Sequence, residues 1–112
     1  MFQNVYPLTK KIRGQCLIID NEKFVNDVLP FREGSKIDSN NLDMLFEQLN
    51  FKVTVRRNLS YSEMMSTIGK FADLEEHEDA QMCIVVILSH GEAGGLINAA
   101  DKREVCLQYY TR

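Results

Sequence analysis

The sequence predicts an α/β fold built on an open, mostly parallel sheet. Two segments, residues 14–21 and 82–88, each contain a short apolar run that is followed by turn-forming or polar residues, which is typical of strands buried on both faces. Between them lie two segments with helical periodicity and one strictly alternating segment, 51–56. The order of elements is therefore β-α-β-α-β.

The first helix is predicted between residues 35 and 50. Ser35 is followed three residues later by Asp38, a spacing that predicts a capping box at the helix start. The apolar positions then recur at i, i+3, i+4 and i+7, which predicts one buried stripe. That stripe consists of Leu42, Leu45, Phe46 and Leu49.

The alternating strand 51–56 is predicted to have one solvated face and to lie at a sheet margin. Ser60 and Glu63 then form a second capping box, with Leu59 placed to contact Met64. The buried stripe of the second helix is predicted to be Met64, Met65, Ile68, Phe71 and Ala72. An acidic, solvated segment follows, in which His77 is expected to be exposed.

Right-handed crossovers with the margin strand outermost predict the strand order 2-1-3, with helices on both faces. The switch point then lies between strands 1 and 3, where Arg32 and His90 would enter one crevice. A cation and an imidazole there suit an anionic substrate and proton transfer. Two plainer interpretations stay open: His90 caps a loop, or Arg32 pairs on the surface with Glu33 or Asp38.

Composition excludes several classes of function. The chain has 112 residues and 12.9 kDa, which suits one small domain, and its net charge of −3 without a basic tract argues against nucleic acid. No apolar run approaches the roughly 18 residues of a membrane span, and the N-terminus lacks a secretory pattern. No membrane partner is therefore predicted.

The three cysteines have no metal-ligand spacing, and no metal or other cofactor is predicted. Cys16 and Cys83 lie within apolar runs and are expected to be buried thiols, which suits a reducing, cytoplasmic location. A stand-alone flavodoxin-like module is disfavoured because no Gly-rich phosphate loop follows strand 1.

Several phrases resemble the N-terminal half of a caspase catalytic domain. They are Arg13–Glu22, Arg32–Asp38, Asn41-Leu42 with Leu45-Phe46, and Val85–Glu92, which ends in Ser-His-Gly-Glu. The resemblance spans about residues 5–98. It implies an extended lead-in over 1–13, a partial caspase large-subunit domain over 14–98 and a divergent tail over 99–112.

The resemblance also implies a cysteine-type endopeptidase that cleaves peptides after aspartate in apoptosis. His90 would be the general base, and the Gly91 backbone N–H would help to bind the oxyanion. Arg32 would bind the P1 aspartate of the substrate. The carbonyl of Pro30 would orient the imidazole.

The family's nucleophile motif, Gln-Ala-Cys-[Arg/Gln/Gly]-Gly, does not occur in the 22 residues after His90. Cys106 lies too early and lacks the flanking residues, so no nucleophile is assigned and the chain alone is expected to be inactive. The alternative is a non-catalytic regulator of a full-length caspase. Strand 82–88 is predicted to be central yet has no obvious strand beyond it, so it would either mediate that association or leave the fold unstable.

Overall fold

Three parallel strands form the main sheet of the computed structural model, which describes residues 12–24, 29–80, 82–92, 96–101 and 104–106. Strand β1 (Gly14–Asp20) lies between β2 (Phe51–Arg57) and β3 (Met82–Leu88). Helix α1 (Ser35–Gln48) connects β1 to β2, and α2 (Tyr61–Ala72) leads towards β3. The predicted fold class and the strand order 2-1-3 are confirmed.

The side chains of β1 form the centre of two apolar clusters, one on each face of the sheet. Cys16 and Ile18 pack with Phe51 and with Leu42 and Phe46 of α1. Alternate residues of a strand point to opposite faces, so the odd-numbered residues of β1 face α2. There, Leu17 and Ile19 form a cluster with Met64, Ile68 and Phe71. The two helices therefore cover opposite faces, as predicted.

Gly14 lies directly against the backbone of β3, since a Cβ atom at this position would lie 1.8 Å from the carbonyl oxygen of Met82. Gly69, in α2, would have no neighbour within 4 Å. We expect Gly14→Ala to destabilise the fold by about 1–3 kcal/mol through forced strand displacement. We expect Gly69→Ala to stabilise it by about 0.5–1 kcal/mol because alanine favours the helix. Urea denaturation followed by circular dichroism measures both, and shifts of the same sign would contradict this packing.

Helix α1 departs from its prediction at its start. Its N-cap is Gly34, with a left-handed φ of 78°, and no side chain caps the first turn. Ser35 is the first helical residue, and its hydroxyl donates to buried Asp20 instead. The predicted capping box of Ser35 and Asp38 is wrong, because a long-range partner takes the serine hydroxyl.

The apolar stripe of α1 is buried only in part. Leu42 and Phe46 contact the sheet, whereas Leu45 and Leu49 are 48% and 42% exposed. The buried residues of the helix are instead Ser35 and Ser39, which are small and polar. Ser35 contacts Asp20, and Ser39 contacts Arg57. The helix is therefore rotated from the orientation that its hydrophobic pattern predicts.

Helix α2 agrees with its prediction. Ser60 accepts from the backbone N–H of Glu63, whose carboxylate accepts from the backbone N–H of Ser60, so the capping box is complete. Leu59 packs against the cluster that contains Met64. His77, beyond the helix, was predicted to be exposed, and this is wrong. Its Nε2 lies 2.6 Å from the carbonyl oxygen of Phe71, and its partly buried ring meets the Phe71 ring edge to face.

Strand β3 is less buried than its composition predicts. Met82 and Val85 are 52% and 43% exposed, and Cys83 is exposed as well. Within the described ranges β3 pairs only with β1, so its second edge has no strand beside it. The expectation that β3 is buried on both faces is wrong, and the expected lack of a strand beyond it stays a prediction.

A second, antiparallel sheet follows β3 and was not predicted. It consists of β4 (Gly91–Glu92), β5 (Leu96–Asn98) and β6 (Glu104–Cys106). Ala99 and Ala100 are buried, and the Ala100 N–H donates to the carbonyl oxygen of Leu59 at 2.7 Å. Residues 99–101 thus pack with the 14–98 region, and the boundary at residue 98 stays a prediction.

None of the described helices combines the length and the hydropathy needed to cross a bilayer.

Candidate active site

The carboxyl ends of β1, β2 and β3 are joined by backbone hydrogen bonds. The Asn21 N–H donates to the carbonyl oxygen of Leu88 at 2.8 Å, and the Asn58 N–H donates to that of Asp20 at 3.0 Å. In a parallel sheet all three ends lie at the same edge. The loops that follow β1 and β3 therefore begin side by side at this edge of the sheet.

A buried ion cluster lies at that point. The Asp20 carboxylate is fully buried and accepts from Arg57 Nη1 at 2.7 Å, from Arg32 Nη1 at 3.3 Å and from the Ser35 hydroxyl. A buried charge is tolerated only when it is paired and hydrogen-bonded. We call these four residues the Asp20 cluster; it ties β1, β2, the start of α1 and the loop of Arg32 together.

Arg32 contacts the other residues of the Asp20 cluster through one side of its guanidinium, at Nη1. Its Nη1 also donates to the carbonyl oxygen of Asn21 at 3.1 Å and to the Ser35 hydroxyl at 2.7 Å. Among the described residues, no group accepts from its Nη2 or Nε, and the side chain is 21% exposed. The alternative pairing with Glu33 or Asp38 is not seen. The free edge of the guanidinium has the geometry to bind a planar carboxylate.

His90 is held by the loop that carries Arg32. Its Nε2 lies 2.8 Å from the carbonyl oxygen of Pro30. A carbonyl oxygen can only accept, so Nε2 carries a proton, and in the neutral form of the ring the lone pair lies at Nδ1. The ring of buried Phe24 lies 5.1 Å from the imidazole, and the His90 carbonyl accepts from the Asn98 N–H at 2.9 Å. The imidazole is thus oriented with Nδ1 as its proton acceptor.

The structure brings two of the four predicted site residues, Pro30 and His90, into contact across the crevice. Pro30 contacts His90, and two residues further on Arg32 joins the Asp20 cluster, with its N–H donating to the carbonyl oxygen of Glu22 at 2.9 Å. Gly91 follows His90 directly and begins β4, opposite Ile97. The catalytic and substrate-binding roles of these residues stay predictions.

Three supporting residues were missed by the sequence analysis. Asn21 is fully buried and accepts from the Leu59 N–H at 2.9 Å, while its amide donates to the Asn98 carbonyl at 3.4 Å. Arg57 is the second cation on Asp20, and Phe24 packs on His90. A polar Asp-Asn pair directly after an apolar strand is a usable signal for a buried network, but it was interpreted only as a turn.

The two cysteines with described side chains differ in their burial. Cys16 is fully buried, and burial, with a smaller contribution from the charge of Asp43, raises the pKa of its thiol from 9.0 to about 11. Cys83 is exposed, so its predicted burial is wrong. Within the described ranges, no three His, Cys, Asp or Glu residues are placed to hold a metal ion.

Alkylation should separate these thiols. With a pKa of about 11, roughly one Cys16 thiol in a thousand is ionised at pH 8, and the group is also inaccessible. Iodoacetamide at pH 8 is expected to modify Cys83 within minutes and Cys16 only after unfolding in urea, as peptide mass spectrometry would show. Equal labelling of both thiols in the folded chain would contradict the burial of Cys16.

Because the pKa of the Cys16 thiol is higher in the folded chain than in the unfolded chain, the stability that Cys16 contributes is complete below about pH 9. This stability is lost as the pH rises towards 11.

An open parallel sheet, with an oriented histidine after one strand and a buried carboxylate paired with two arginines after another, defines an α/β domain with a candidate site at the carboxyl edge of its sheet. The chain belongs to the caspase family, since the family model described as Caspase domain matches residues 13–112.

Curated relatives agree with this assignment. The chain is similar to Caspase-2 of Gallus gallus, with 38% identity over 98 residues, covering 87% of this chain and 23% of the relative. It is similar to Caspase drICE of Drosophila melanogaster, with 38% identity over 89 residues, covering 80% and 26%. Cell death protein 3 of Caenorhabditis remanei shares 44% identity over 89 residues, covering 80% and 17%. The chain thus spans about a quarter or less of the length of these relatives.

Proposed function

We propose that this chain supplies the general base and the specificity cation of a caspase-type cysteine peptidase that cleaves peptides after aspartate. The observation that supports this most directly is the 2.8 Å contact between His90 Nε2 and the Pro30 carbonyl. It leaves Nδ1 as the basic atom of the ring. An oriented imidazole with a defined tautomer is what a general base requires.

The proposed reaction starts with proton transfer from a cysteine thiol to His90 Nδ1. The thiolate attacks the scissile carbonyl carbon, and the Gly91 N–H stabilises the oxyanion. The imidazolium then protonates the leaving amine as the C–N bond breaks, and water hydrolyses the resulting thioester. Because none of the three cysteines lies in the nucleophile motif, this cysteine is proposed to come from outside the 112 residues, which alone should show no turnover.

Arg32 is proposed to bind the substrate's P1 carboxylate through the edge formed by Nη2 and Nε. The opposite side, Nη1, is already held by Asp20 and Ser35, so the fork is oriented before the substrate arrives. Preorganisation of this kind lowers the entropic cost of binding. A planar guanidinium selects a carboxylate with two parallel hydrogen bonds, which lysine cannot do.

A chimera tests the proposal. In it, this chain replaces the matching segment of Gallus gallus Caspase-2, and cleavage of fluorogenic peptides with Asp, Glu or Ala at P1 is measured. We expect cleavage after Asp only. Arg32→Lys is expected to lower kcat/KM for the Asp peptide about 10- to 100-fold by removing the second hydrogen bond.

The matched control is Arg57→Lys, since Arg57 also binds Asp20 but is assigned no substrate. Lysine keeps a positive charge beside Asp20 and removes no proposed substrate contact, so kcat/KM should stay within about threefold, which corresponds to ~0.7 kcal/mol of transition-state stabilisation. Equal losses in the two variants would mean that Arg32 acts only through the Asp20 cluster, and a chimera without any activity would contradict the proposal.

A second candidate function is regulation of a full-length caspase by direct binding. It is supported by the edge of β3, which is unpaired among the described residues and exposes Met82 and Val85. A strand of the full-length caspase could pair with this edge of β3 and form hydrogen bonds with its unpaired backbone N–H and C=O groups. Titrating this chain into an active caspase distinguishes the two candidate functions, because only a regulator should change turnover at stoichiometric amounts.

We propose that either function is performed in the cytoplasm, where free thiols such as Cys16 and Cys83 persist.

A further inference from the structure

A groove between β2 and α2 has a lining that neither proposed function uses. It has a volume of about 290 Å³, and its lining residues are Leu17, Thr54, Arg56, Ser66, Thr67, Lys70, Phe71 and Leu74. None of these belongs to the site of His90, Pro30 and Arg32. The groove lies along β2, which is the opposite margin of the main sheet from β3, the strand that leads to His90.

The groove exists because α2 covers β1 but not β2. On the α2 face of the sheet, Leu17 of β1 is paired in register with Thr54 of β2, and Ile19 with Arg56. The β1 residues are buried under α2, whereas Arg56 is exposed and Thr54 half-buried. The alternation that predicts a solvated face for β2 therefore places a cation and a hydroxyl beside an apolar floor.

The polar groups of the groove have one sign of charge. Arg56 and Lys70 both line it, and no carboxylate does. Neither forms an ion pair among the described residues; Arg56 only donates through Nη1 to the carbonyl oxygen of Val55 at 3.0 Å. This local excess of cations occurs in a chain whose net charge is −3, so it is not the general character of the surface.

Three hydroxyl groups accompany the two cations. Thr54, Ser66 and Thr67 line the groove, and none of the three hydroxyls has a hydrogen-bond partner in the described part of the chain. Two cations and three hydroxyls provide more donors than the two oxygens of a carboxylate need. They suit a phosphate monoester, which has three terminal oxygens and a charge of about −1.5 to −2 at neutral pH.

The floor determines the rest of the ligand. Leu17 and Phe71 lie beneath the groove but are almost fully buried, so the apolar surface that a ligand can reach is provided mainly by half-buried Leu74. The volume suffices for one six-membered ring with its phosphate and is small for a drug-sized ligand. We propose that this groove binds an aryl phosphate, with the ring against Leu74 and the phosphate between Arg56 and Lys70.

Ligand-observed saturation-transfer NMR with the 112-residue chain tests this proposal. The probes observed directly are phenyl phosphate, benzoate and a tripeptide with a central phosphotyrosine. Inorganic phosphate has no carbon-bound proton, so its affinity is measured from its displacement of phenyl phosphate. Phenyl phosphate is expected to bind with a Kd in roughly the millimolar range, as its small size allows. Benzoate and inorganic phosphate should bind at least fivefold more weakly, and equal affinity for either would overturn the aryl-phosphate assignment. Binding of phenyl phosphate together with the tripeptide would identify a peptide side chain as a source, and binding of phenyl phosphate alone a small molecule.

Two double variants with the same change in net charge complete the experiment. Arg56→Gln with Lys70→Gln removes both groove cations and should raise the Kd for phenyl phosphate at least tenfold. Arg13→Gln with Lys36→Gln removes two exposed cations that do not line the groove and should leave the Kd within twofold. Equal effects of the two pairs, or no saturable binding to the unmodified chain, would overturn the proposal.

Discussion

Replacing Asp20 with alanine is expected to destabilise the fold strongly. The Asp20 carboxylate is fully buried between Arg32 and Arg57, and its removal leaves two guanidinium groups without their shared counter-ion. Breaking a buried pair in this way costs about 3–5 kcal/mol. That is a large part of the roughly 5–15 kcal/mol that stabilises a typical domain. Urea denaturation followed by circular dichroism measures the loss.

The matched control for this prediction is Asp38→Ala. Asp38 lies in the first turn of α1 and is exposed, so its removal forfeits only a favourable helix-dipole interaction of about 0.3–1 kcal/mol. If the midpoints of the two variants fell together, the Asp20 cluster would not be a main source of stability, and another account of the strand-end geometry would be needed.

Replacing His90 with alanine in the caspase-2 chimera is expected to lower kcat about 10³-fold or more. The substitution removes the proposed proton acceptor, and general-base catalysis is worth about 10²–10⁴ in rate, with larger losses when the nucleophile depends on its base. The fold should survive, because His90 contributes one hydrogen bond to Pro30 and one ring contact to Phe24. Initial rates with an Asp-containing fluorogenic peptide measure the effect.

His77→Ala is the control for this second prediction. His77 also has its Nε2 against a backbone carbonyl and its ring against a phenylalanine, so the lost contacts are closely similar. It follows α2 rather than β3 and has no proposed part in the reaction. We expect its kcat to stay within twofold of the unsubstituted chimera. Comparable losses at both histidines would indicate a structural effect and would remove the support for a base at His90.

Much of the fold could be predicted because its strongest signals are local. The apolar run 82–88 coincides with β3 residue for residue, and the capping box of Ser60 and Glu63 marks the start of α2. The alternation in β2 correctly predicts a marginal strand with one polar face. Each of these signals depends on neighbours within a few positions along the chain, so the sequence expresses it directly.

The candidate site was predicted less completely. The positions of His90 and Arg32 after β3 and β1 follow from topology, and the assignment of Pro30 came from the family resemblance. The partners that hold the site were missed: Arg57 binds Asp20 from 37 positions away, and Asn21 reaches the Asn98 carbonyl from 77. No local pattern identifies the partner of a buried polar group at such separations.

By itself, the sequence determined the order of the strands, the two helices and the family to which the chain belongs, because apolar runs and short motifs are written in adjacent residues. Tertiary structure decided which of these residues are buried. It turned Ser35 towards Asp20 instead of the helix end, left Cys83 exposed on β3 and buried Cys16 in β1. The physical reason is that burial and the pairing of polar groups depend on what lies beside a residue in space, and the two strands differ mainly in their neighbours.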